Sequence, residues 1–464
     1  MKAHERITSR TSVAALFVII LLVGLMVSPS SLHAGANRIF DQSATATGQG
    51  SAFTAQADDA SAIYYNPAGM TQLRGVQTSF GVLLVGGSTS FENPLGQTAK
   101  SSFDGSVAYP PPINLYVTAN LKDLGINFLG DLSAGVGVVS PFGTLTRWPT
   151  NGPFNSAAVF AAMPLIDIKP TIAYRVNDYL SLGLGADIYT FFDFWGEGHL
   201  ERQTISPGPF PPAGAQIEIN GKDTTVGFNA SLLVTPVRNM DGKPLLNVGL
   251  IYRSQANTQM DGQFLINGAP VADASQTIDL PEVITGGIAF WPVRDRLQEW
   301  KLEVDVDYTG WQSIDKLDIQ LSNGTTILSP ADWRSAYTFM VGTEYKWLRP
   351  SALRDWELAV RAGYWYSETP IPDRTFNPEI PDSDNNSISF GLGALCKGKG
   401  RFFGLFQCGR SGDETFRPGA IALDGAFKVL LYEPRTVRGN VNPTVNGSYD
   451  TTIYVGAINL RVNF

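Results

Sequence analysis

Hydrophobic and polar positions alternate along most of the chain after residue 76, as is typical of β-strands whose two faces meet different surroundings. Fourteen segments show this alternation, and the connections between them are alternately long and short. Antiparallel barrels that span a membrane have an even number of strands, short turns at one end and long loops at the other. The pattern therefore predicts one closed barrel over residues 76–464. The predicted strands cover residues 77–91, 113–121, 132–140, 167–176, 179–195, 224–235, 245–260, 280–291, 300–321, 335–347, 356–368, 387–395, 421–432 and 451–464.

Two of these strands predict what each face of the wall meets. In the ninth, Leu302, Val304, Val306 and Tyr308 face one way, and Lys301, Glu303, Asp305 and Asp307 face the other. In the last, Tyr454, Ile458, Leu460, Val462 and Phe464 face one way, and Asn459, Arg461 and Asn463 face the other. Carboxylates are expensive in lipid. The polar face is therefore expected to be wet or paired in a lumen, and the apolar face to meet lipid.

A soluble sandwich of two sheets would alternate in the same way and is the alternative on periodicity alone. Its strands would be shorter, because globular sheets favour strands of about 5–6 residues, whereas several predicted segments are far longer. We therefore favour the membrane barrel.

Residues 1–36 are predicted to be a signal peptide. Lys2, Arg6 and Arg10 precede the apolar stretch 13–27, and small residues follow it. Cleavage after residue 34 or after residue 36 fits equally well. An uncleaved anchor is the alternative, but the apolar stretch is shorter than the roughly 20 residues that cross a bilayer as a helix.

The segment 37–75 lies between the signal and the first strand, and its pattern is not that of a strand. Small and polar residues dominate its first half, and Asp58 and Asp59 stand where a short helix could begin. Asn66 and Pro67 force a turn, because proline fixes φ and lacks a donor. The segment therefore predicts a compact plug, although the sequence Asn-Pro-Ala-Gly could also be an ordinary loop.

The residues 58–61, followed by Tyr-Asn-Pro-Ala-Gly at 65–69, resemble the N-terminal hatch of the FadL family of outer-membrane transporters for long-chain fatty acids and hydrocarbons. Four further stretches resemble that family's pattern, in its order. These are Ser140-Pro141-Phe142-Gly143 with Trp148, residues 168–185, Trp311-Gln312-Ser313 with residues 332–345, and residues 361–384. The resemblance implies an all-β membrane protein of the bacterial outer membrane, a 14-stranded antiparallel barrel whose lumen is plugged by a small N-terminal helical and irregular hatch.

The resemblance also implies candidate functional residues. Hatch and gating candidates are Asn66, Pro67, Ala68, Gly135, Gly137 and Pro141, the last three because glycine and proline in the third strand would weaken its ladder and allow a lateral opening. Candidates for the substrate path are Trp148, Phe154, Phe160 and Met163 in the loop after that strand, with Lys346 and Arg361 facing the lumen. We expect Glu303, Asp305 and Asp307 to be possible ion-pair partners of these two cations.

The expected function is passive transport of hydrophobic solutes, with long-chain fatty acids as the first cargo and lateral or lumenal release. The alternative is a general or aromatic-hydrocarbon-specific porin or channel, and a third possibility is an adhesin or a structural barrel. Expected partners are a hydrophobic small molecule, outer-membrane lipid, and the barrel assembly machinery, which the resemblance implies reads the last strand and its terminal Phe464. We expect a monomer.

The net charge and the few histidines and cysteines argue against several kinds of partner and site. A formal net charge of −8 argues against a nucleic-acid partner. Of three histidines, His4 and His33 would leave with the signal, and His199 has no nucleophile motif such as G-x-S-x-G near it. One histidine and two cysteines do not supply a usual zinc set. The sequence therefore predicts no enzyme activity, no cofactor and no metal.

Cys396 and Cys408 flank a predicted periplasmic turn, and an oxidising periplasm favours a disulfide between them over two free thiols. Lys397, Lys399, Arg401 and Arg410 form a basic cluster around this turn. A solvated turn is the ordinary meaning of such a cluster, and contact with an anionic lipid headgroup or a periplasmic acceptor is the functional alternative.

Overall fold

Fourteen antiparallel strands form a closed wall in the computed structural model, which describes residues 35–409 and 418–464. The wall closes because the last strand pairs with the first along its length, from Gln77 opposite Asn463 to Glu92 opposite Ser448. The strands are β1 Val76–Glu92, β2 Ile113–Asn120, β3 Leu132–Val139, β4 Ile166–Arg175, β5 Leu180–Thr190, β6 Thr225–Arg238, β7 Pro244–Arg253, β8 Val283–Arg294, β9 Gln298–Thr309, β10 Ala336–Trp347, β11 Trp356–Ser367, β12 Asn385–Lys397, β13 Ala420–Tyr432 and β14 Gly447–Asn463. The expectation of a 14-stranded barrel is confirmed. The predicted signal segment up to residue 34, and Arg410 of the basic cluster, lie outside the described residues.

Three predicted strands were too long. The fifth, seventh and ninth were expected to reach residues 195, 260 and 321, but β5, β7 and β9 end at Thr190, Arg253 and Thr309. For the seventh and ninth the reason is that the chain re-enters β structure outside the wall, so alternation continues after the wall strand has ended. A period of two cannot tell which sheet a strand joins.

A second sheet of eight strands stands at the end of the barrel that carries the long connections, and the sequence did not predict it. Its order is Thr326–Ile327, Ile319–Leu321, Ala269–Leu280, Ala256–Ile266, Gln216–Gly221, Leu200–Ile205, Phe160–Ala162 and Leu145–Arg147. Outer-membrane barrels have long extracellular loops and short periplasmic turns, so we name this end extracellular. Four small strands remain, Thr98–Lys100, Arg401–Phe402, Phe406–Gln407 and Arg435–Val437.

The predicted faces of the wall agree with the burial of its side chains. Ile458 and Leu460 of β14 are 49% and 42% exposed, whereas Asn459 between them is buried. On β9 the four charged side chains at 301, 303, 305 and 307 are all buried. The apolar row therefore points outward and the polar row inward.

Within residues 35–409 and 418–464 the helices are short. The α-helices there are α1 Ala44–Thr47 and α2 Ala62–Tyr65, and the 3₁₀ helices are Pro67–Gln72, Asn127–Leu129, Trp311–Ser313, Asp373–Thr375 and Pro443–Val445.

In the described parts of the chain, no helix is both long and apolar enough to cross a membrane.

Candidate functional site

The segment predicted as a hatch lies inside the barrel. From Phe40 to Thr71 every residue is buried except Asp58, which is half-buried. The Ser43 hydroxyl accepts the Ala46 amide hydrogen and caps α1, and the Asp59 carboxylate accepts the Ser61 amide at 2.9 Å in the turn before α2. Apolar side chains of the hatch pack with one another and with Tyr116, Val139 and Ala173 of the wall in one buried cluster, so the position of the hatch depends on the wall around it.

The Asn66 turn joins the hatch to the wall. The Asn66 side chain is fully buried, and its Nδ2 donates to the carbonyls of Thr54 and Leu232 at 2.8 and 3.1 Å. The amide of Ala68 donates to Asn66 Oδ1 at 3.2 Å and to the Ser231 hydroxyl of β6 at 2.9 Å. One asparagine thus fixes two parts of the hatch against one wall strand.

The inward carboxylates of β9 accept hydrogen bonds from the hatch backbone. One oxygen of Asp305 accepts the amides of Phe53 and Thr54, both at 2.9 Å. One oxygen of Glu303 accepts the amides of hatch residues 55 and 56 at 2.7 and 3.1 Å. Lys301 donates to the other Glu303 oxygen at 2.7 Å. The paired lumen that the sequence predicted is therefore formed largely by the hatch itself.

The two lumenal cations proposed for the substrate path have other partners than expected. Arg361 donates to Glu344 at 2.7 Å and to Asp424 at 2.8 Å. Lys346 lies 2.9 Å from Glu344 and 3.3 Å from Asp58 of the hatch. The expectation that the β9 carboxylates would pair with them is wrong, because Glu344 lies two residues from Lys346 on β10 and directly opposite Arg361 on β11.

Further pairs between hatch and wall were missed by the sequence analysis. Asp41 pairs with the buried Lys428 of β13, and Arg38 pairs with Asp307 of β9. Inward-facing glycines of the wall also touch the hatch: a Cβ added at Gly249 would lie 2.3 Å from the Thr54 carbonyl oxygen. Glycine at inward positions of successive strands is the signal that could have located this contact surface.

The third strand differs from the expectation of a weakened ladder. Gly135 and Gly137 are paired on both sides, with β2 and with β4. Both face the hatch, and a Cβ at Gly135 would lie 2.9 Å from Ile63 Cδ1. The ladder ends just before Pro141, whose carbonyl accepts the Ile39 amide of the hatch at 2.8 Å. The two glycines therefore make room for the plug and leave no gap in the ladder of this strand.

A cavity of about 250 Å³ lies at the extracellular end, between the start of the hatch and the wall. Residues 35–41 form one side, and β1, β11, β13 and β14 form another. The loops after β1, β3, β5 and β11 complete the lining. Its apolar lining includes Phe40, Leu83, Phe142, Met163, Trp365 and Leu430. Its charged lining residues are Arg38, Asp41, Glu197 and Asp382.

The aromatic residues proposed for the groove form a core instead. Trp148, Phe154 and Phe160 are each at most 2% exposed and do not line the cavity. Trp148 Nε1 donates to the carbonyl of Pro378 at 2.9 Å, which ties two extracellular loops together. Of the four proposed residues only Met163 reaches the cavity, because the loop folds its larger rings under itself.

His199 does not line this cavity, and its Nε2 lies 3.6 Å from the Glu201 carboxylate on the extracellular sheet. Among the described residues no three His, Cys, Asp or Glu side chains group as metal ligands.

The family described as "Outer membrane protein transport protein (OMPP1/FadL/TodX)" matches residues 25–397 of the sequence. The chain belongs to this family. It is thus a transport protein of the outer membrane rather than an enzyme. A long-chain fatty acid transport protein of Escherichia coli O6:H1 is 25% identical over an alignment of 397 residues, which covers 75% of this chain and 81% of the relative. One of Salmonella typhi is 22% identical over 377 residues, with 75% and 81% covered.

Solved structures of this FadL/TodX family share the fold. A FadL homologue from Pseudomonas aeruginosa superposes with a TM-score of 0.70 at 18% identity, covering 93% of this chain and all of that chain. The toluene transporter TbuX of Ralstonia pickettii superposes with a TM-score of 0.58 at 14% identity, covering 92% and 100%.

The loop between β11 and β12 contains two carboxyls with raised pKa. Burial raises the pKa of Asp382 to about 6, although it accepts from Thr369 Oγ1 at 2.6 Å and from the Ala36 amide at 3.0 Å. Burial, with the nearby carboxylates of Glu433 and Asp382, raises the pKa of Asp384 to about 7. Unfolded aspartates titrate near about 3.9. The folded loop therefore holds these protons more tightly than the open loop does.

We expect this loop to be most protected at low pH and to lose that protection as the pH rises through 6 to 7. For Asp382 alone, linkage gives roughly a tenfold larger protection factor at pH 5 than at pH 8. Hydrogen exchange of peptides covering residues 369–384, corrected for intrinsic rates, measures it. The Asp382→Asn/Asp384→Asn double variant is the control and should flatten the profile, because it removes both carboxyls with raised pKa. A parental profile that is already flat would contradict the prediction.

Proposed function

We propose that this FadL/TodX-family protein takes up hydrophobic solutes, with long-chain fatty acids as the first cargo. The observation that carries the proposal is the cavity, which is lined by apolar side chains and lies directly over the plugged lumen. A buried apolar pocket holds a greasy solute because it removes its surface from water. An open porin would need no such pocket, and the lumenal hatch argues against one.

The start of the hatch is one side of this cavity, so a solute that moves on must displace it. Residues 35–41 reach the wall through the pairs of Arg38 with Asp307 and Asp41 with Lys428. Ile39 is bonded to the chain just beyond β3, where the ladder ends. We propose that movement of this segment passes the solute onward, to the membrane beside the end of β3 or to the periplasm.

Two classes of hydrophobic cargo have support, one with a carboxylate head group and one without a charge. The names of the curated relatives support fatty acids, and the toluene transporters among the solved structures support hydrocarbons. Of the charged residues that line the cavity, Arg38 pairs with Asp307 and Asp41 pairs with Lys428, which leaves the acids Glu197 and Asp382. This excess of acids favours an uncharged cargo, so hydrocarbons and protonated acids are the second candidate.

Binding of a matched pair, dodecanol and dodecanoate, to the purified protein tests the proposal by fluorescence competition. We expect saturable binding of at least one, reduced roughly tenfold by Leu430→Asn, since a polar amide in an apolar pocket costs about 1–3 kcal/mol. Leu328→Asn is the control, because Leu328 is 75% exposed and outside the cavity. Equal affinities in the parent and Leu430→Asn would place the ligand site elsewhere, and no binding of either ligand would contradict the function.

We also propose that the barrel assembly machinery recognises the terminal strand and that the protein acts as a monomer. The support is that β14 carries an outward apolar row and that its closure onto β1 leaves the wall without an edge.

A further inference from the structure

The connection between β12 and β13, at the periplasmic end, contains a small hairpin. Arg401–Phe402 pairs antiparallel with Phe406–Gln407, and we name these four residues with the turn between them the rim hairpin. The structure joins Cys396, near the end of β12, to Cys408, just after the hairpin, by a disulfide with Cα atoms 5.8 Å apart. The hairpin is thereby held against the end of β12.

The rim hairpin lies on the outer face of the wall. Trp356, Cys396, Ile421 and Val462 are successive cross-strand partners, so they form one row over β11 to β14. Other side chains on the same face of these strands are exposed, namely Val360, Tyr364, Ile388, Phe390, Leu392, Leu423, Phe427, Ile458 and Leu460. The row therefore points away from the lumen, towards lipid.

Phe402 covers this outward row. Its ring centroid lies 6.0 Å from that of Trp356, and it packs with Cys396, Cys408 and Ile421 in one buried cluster. Cys396 is fully buried although it points outward, because the hairpin lies over it. A periplasmic turn that merely capped the barrel would leave this row exposed.

The opposite side of the rim hairpin is apolar and uncovered. Phe403, Leu405 and Phe406 are 62%, 75% and 63% exposed. Lys399 and Arg401 are exposed at the same site. Because the hairpin lies on the outward surface of the wall, its apolar tip continues that surface, with the two cations beside it.

We propose that the rim hairpin is a membrane-interface anchor that inserts Phe403, Leu405 and Phe406 into the periplasmic leaflet and binds anionic phospholipid headgroups through Lys399 and Arg401. Aromatic and aliphatic side chains at this depth are buried by lipid, and each cation near an anionic membrane surface adds electrostatic attraction. The disulfide keeps the hairpin on the wall, where it can reach the leaflet.

Spin labels on the full-length protein in liposomes test where the hairpin lies. Leu405→Cys is labelled after the native cysteines have oxidised, and Ser351→Cys, on the exposed turn between β10 and β11, is the control. We expect the label at 405 to collide with oxygen rather than with a water-soluble nickel chelate, and the label at 351 to show the reverse. Equal chelate access at both positions would overturn the anchor.

The lipid partner is tested by mass spectrometry of phospholipids retained by the purified barrel. In Lys399→Gln/Arg401→Gln we expect the ratio of phosphatidylglycerol to phosphatidylethanolamine to fall about fivefold or more. Lys122→Gln/Arg349→Gln removes two exposed cations from other turns at the same end and should leave the ratio unchanged. An unchanged ratio in the hairpin variant would overturn the headgroup site, as would an equal fall in both. Heat-modifiable migration of each variant confirms that it is folded.

Discussion

Replacing Gly363 by valine will displace the hatch and open the barrel to ions. Gly363 lies on β11 facing the lumen, and a Cβ added there would lie 2.1 Å from both the carbonyl carbon of Gln49 and the nitrogen of Gly50. These are backbone atoms, which cannot rotate aside as a side chain could. Overpacking costs about 1–3 kcal/mol even where side chains can adjust, which corresponds to roughly a 5- to 150-fold shift towards an unseated hatch.

Planar-bilayer conductance measures this shift, because an unseated hatch leaves a water-filled lumen. Gly425→Val is the matched control: it is on β13, and a Cβ there would meet nothing within 4 Å. We expect frequent large openings in the first variant and parental behaviour in the second. Parental conductance in Gly363→Val would show that the hatch tolerates a shift without leaving the lumen.

Removing the Asp305 carboxylate will loosen the same plug from β9, two strands away from Gly363 along the wall. In Asp305→Ala the buried amides of Phe53 and Thr54 lose their acceptor. Each buried amide left without a partner costs about 1–3 kcal/mol. The loss of both therefore destabilises the seated hatch by more than most single substitutions at the surface would. We expect exchange of these two amides to rise by at least tenfold for each 1.4 kcal/mol lost.

Hydrogen exchange followed by mass spectrometry reads these amides directly. Asp305→Asn keeps an acceptor oxygen and should restore part of the protection. Asp279→Ala is the control, since Asp279 lies on the extracellular sheet and, among the residues that the structure describes, its carboxylate accepts only from the exposed Asn257 side chain at 2.6 Å. If Asp305→Ala keeps parental exchange at residues 53 and 54, water has replaced the carboxylate and the pair does not hold the hatch.

The wall could be predicted almost completely from the sequence. A period of two is a local property of the chain. It gives the number of strands, the place of the last strand at the end of the wall, and the faces to which Asp305 and Ile458 belong. The hatch could be located for the same reason, since its small residues and its Asn66 turn break that period.

Partners within the lumen could not be predicted in this way. Whether a side chain faces inward follows from the local sequence pattern of its strand. Arg361, in contrast, pairs with Glu344 and Asp424 because of the register between neighbouring strands. Asp305 accepts hydrogen bonds from the amides of Phe53 and Thr54 because the hatch docks against it. The docking of the hatch depends on residues that are far apart in the sequence.

The extracellular end depended most on tertiary structure. Trp148 and its aromatic neighbours have the composition of a ligand groove, yet they form a core because the loops pack on one another. Alternation beyond Arg253 belongs to a second sheet, and Phe402 covers the outer face of the wall. The sequence by itself determined which side chains point inward and which outward. Only the tertiary structure decided what each one meets, because contacts between distant segments depend on strand register and loop packing, which no local pattern contains.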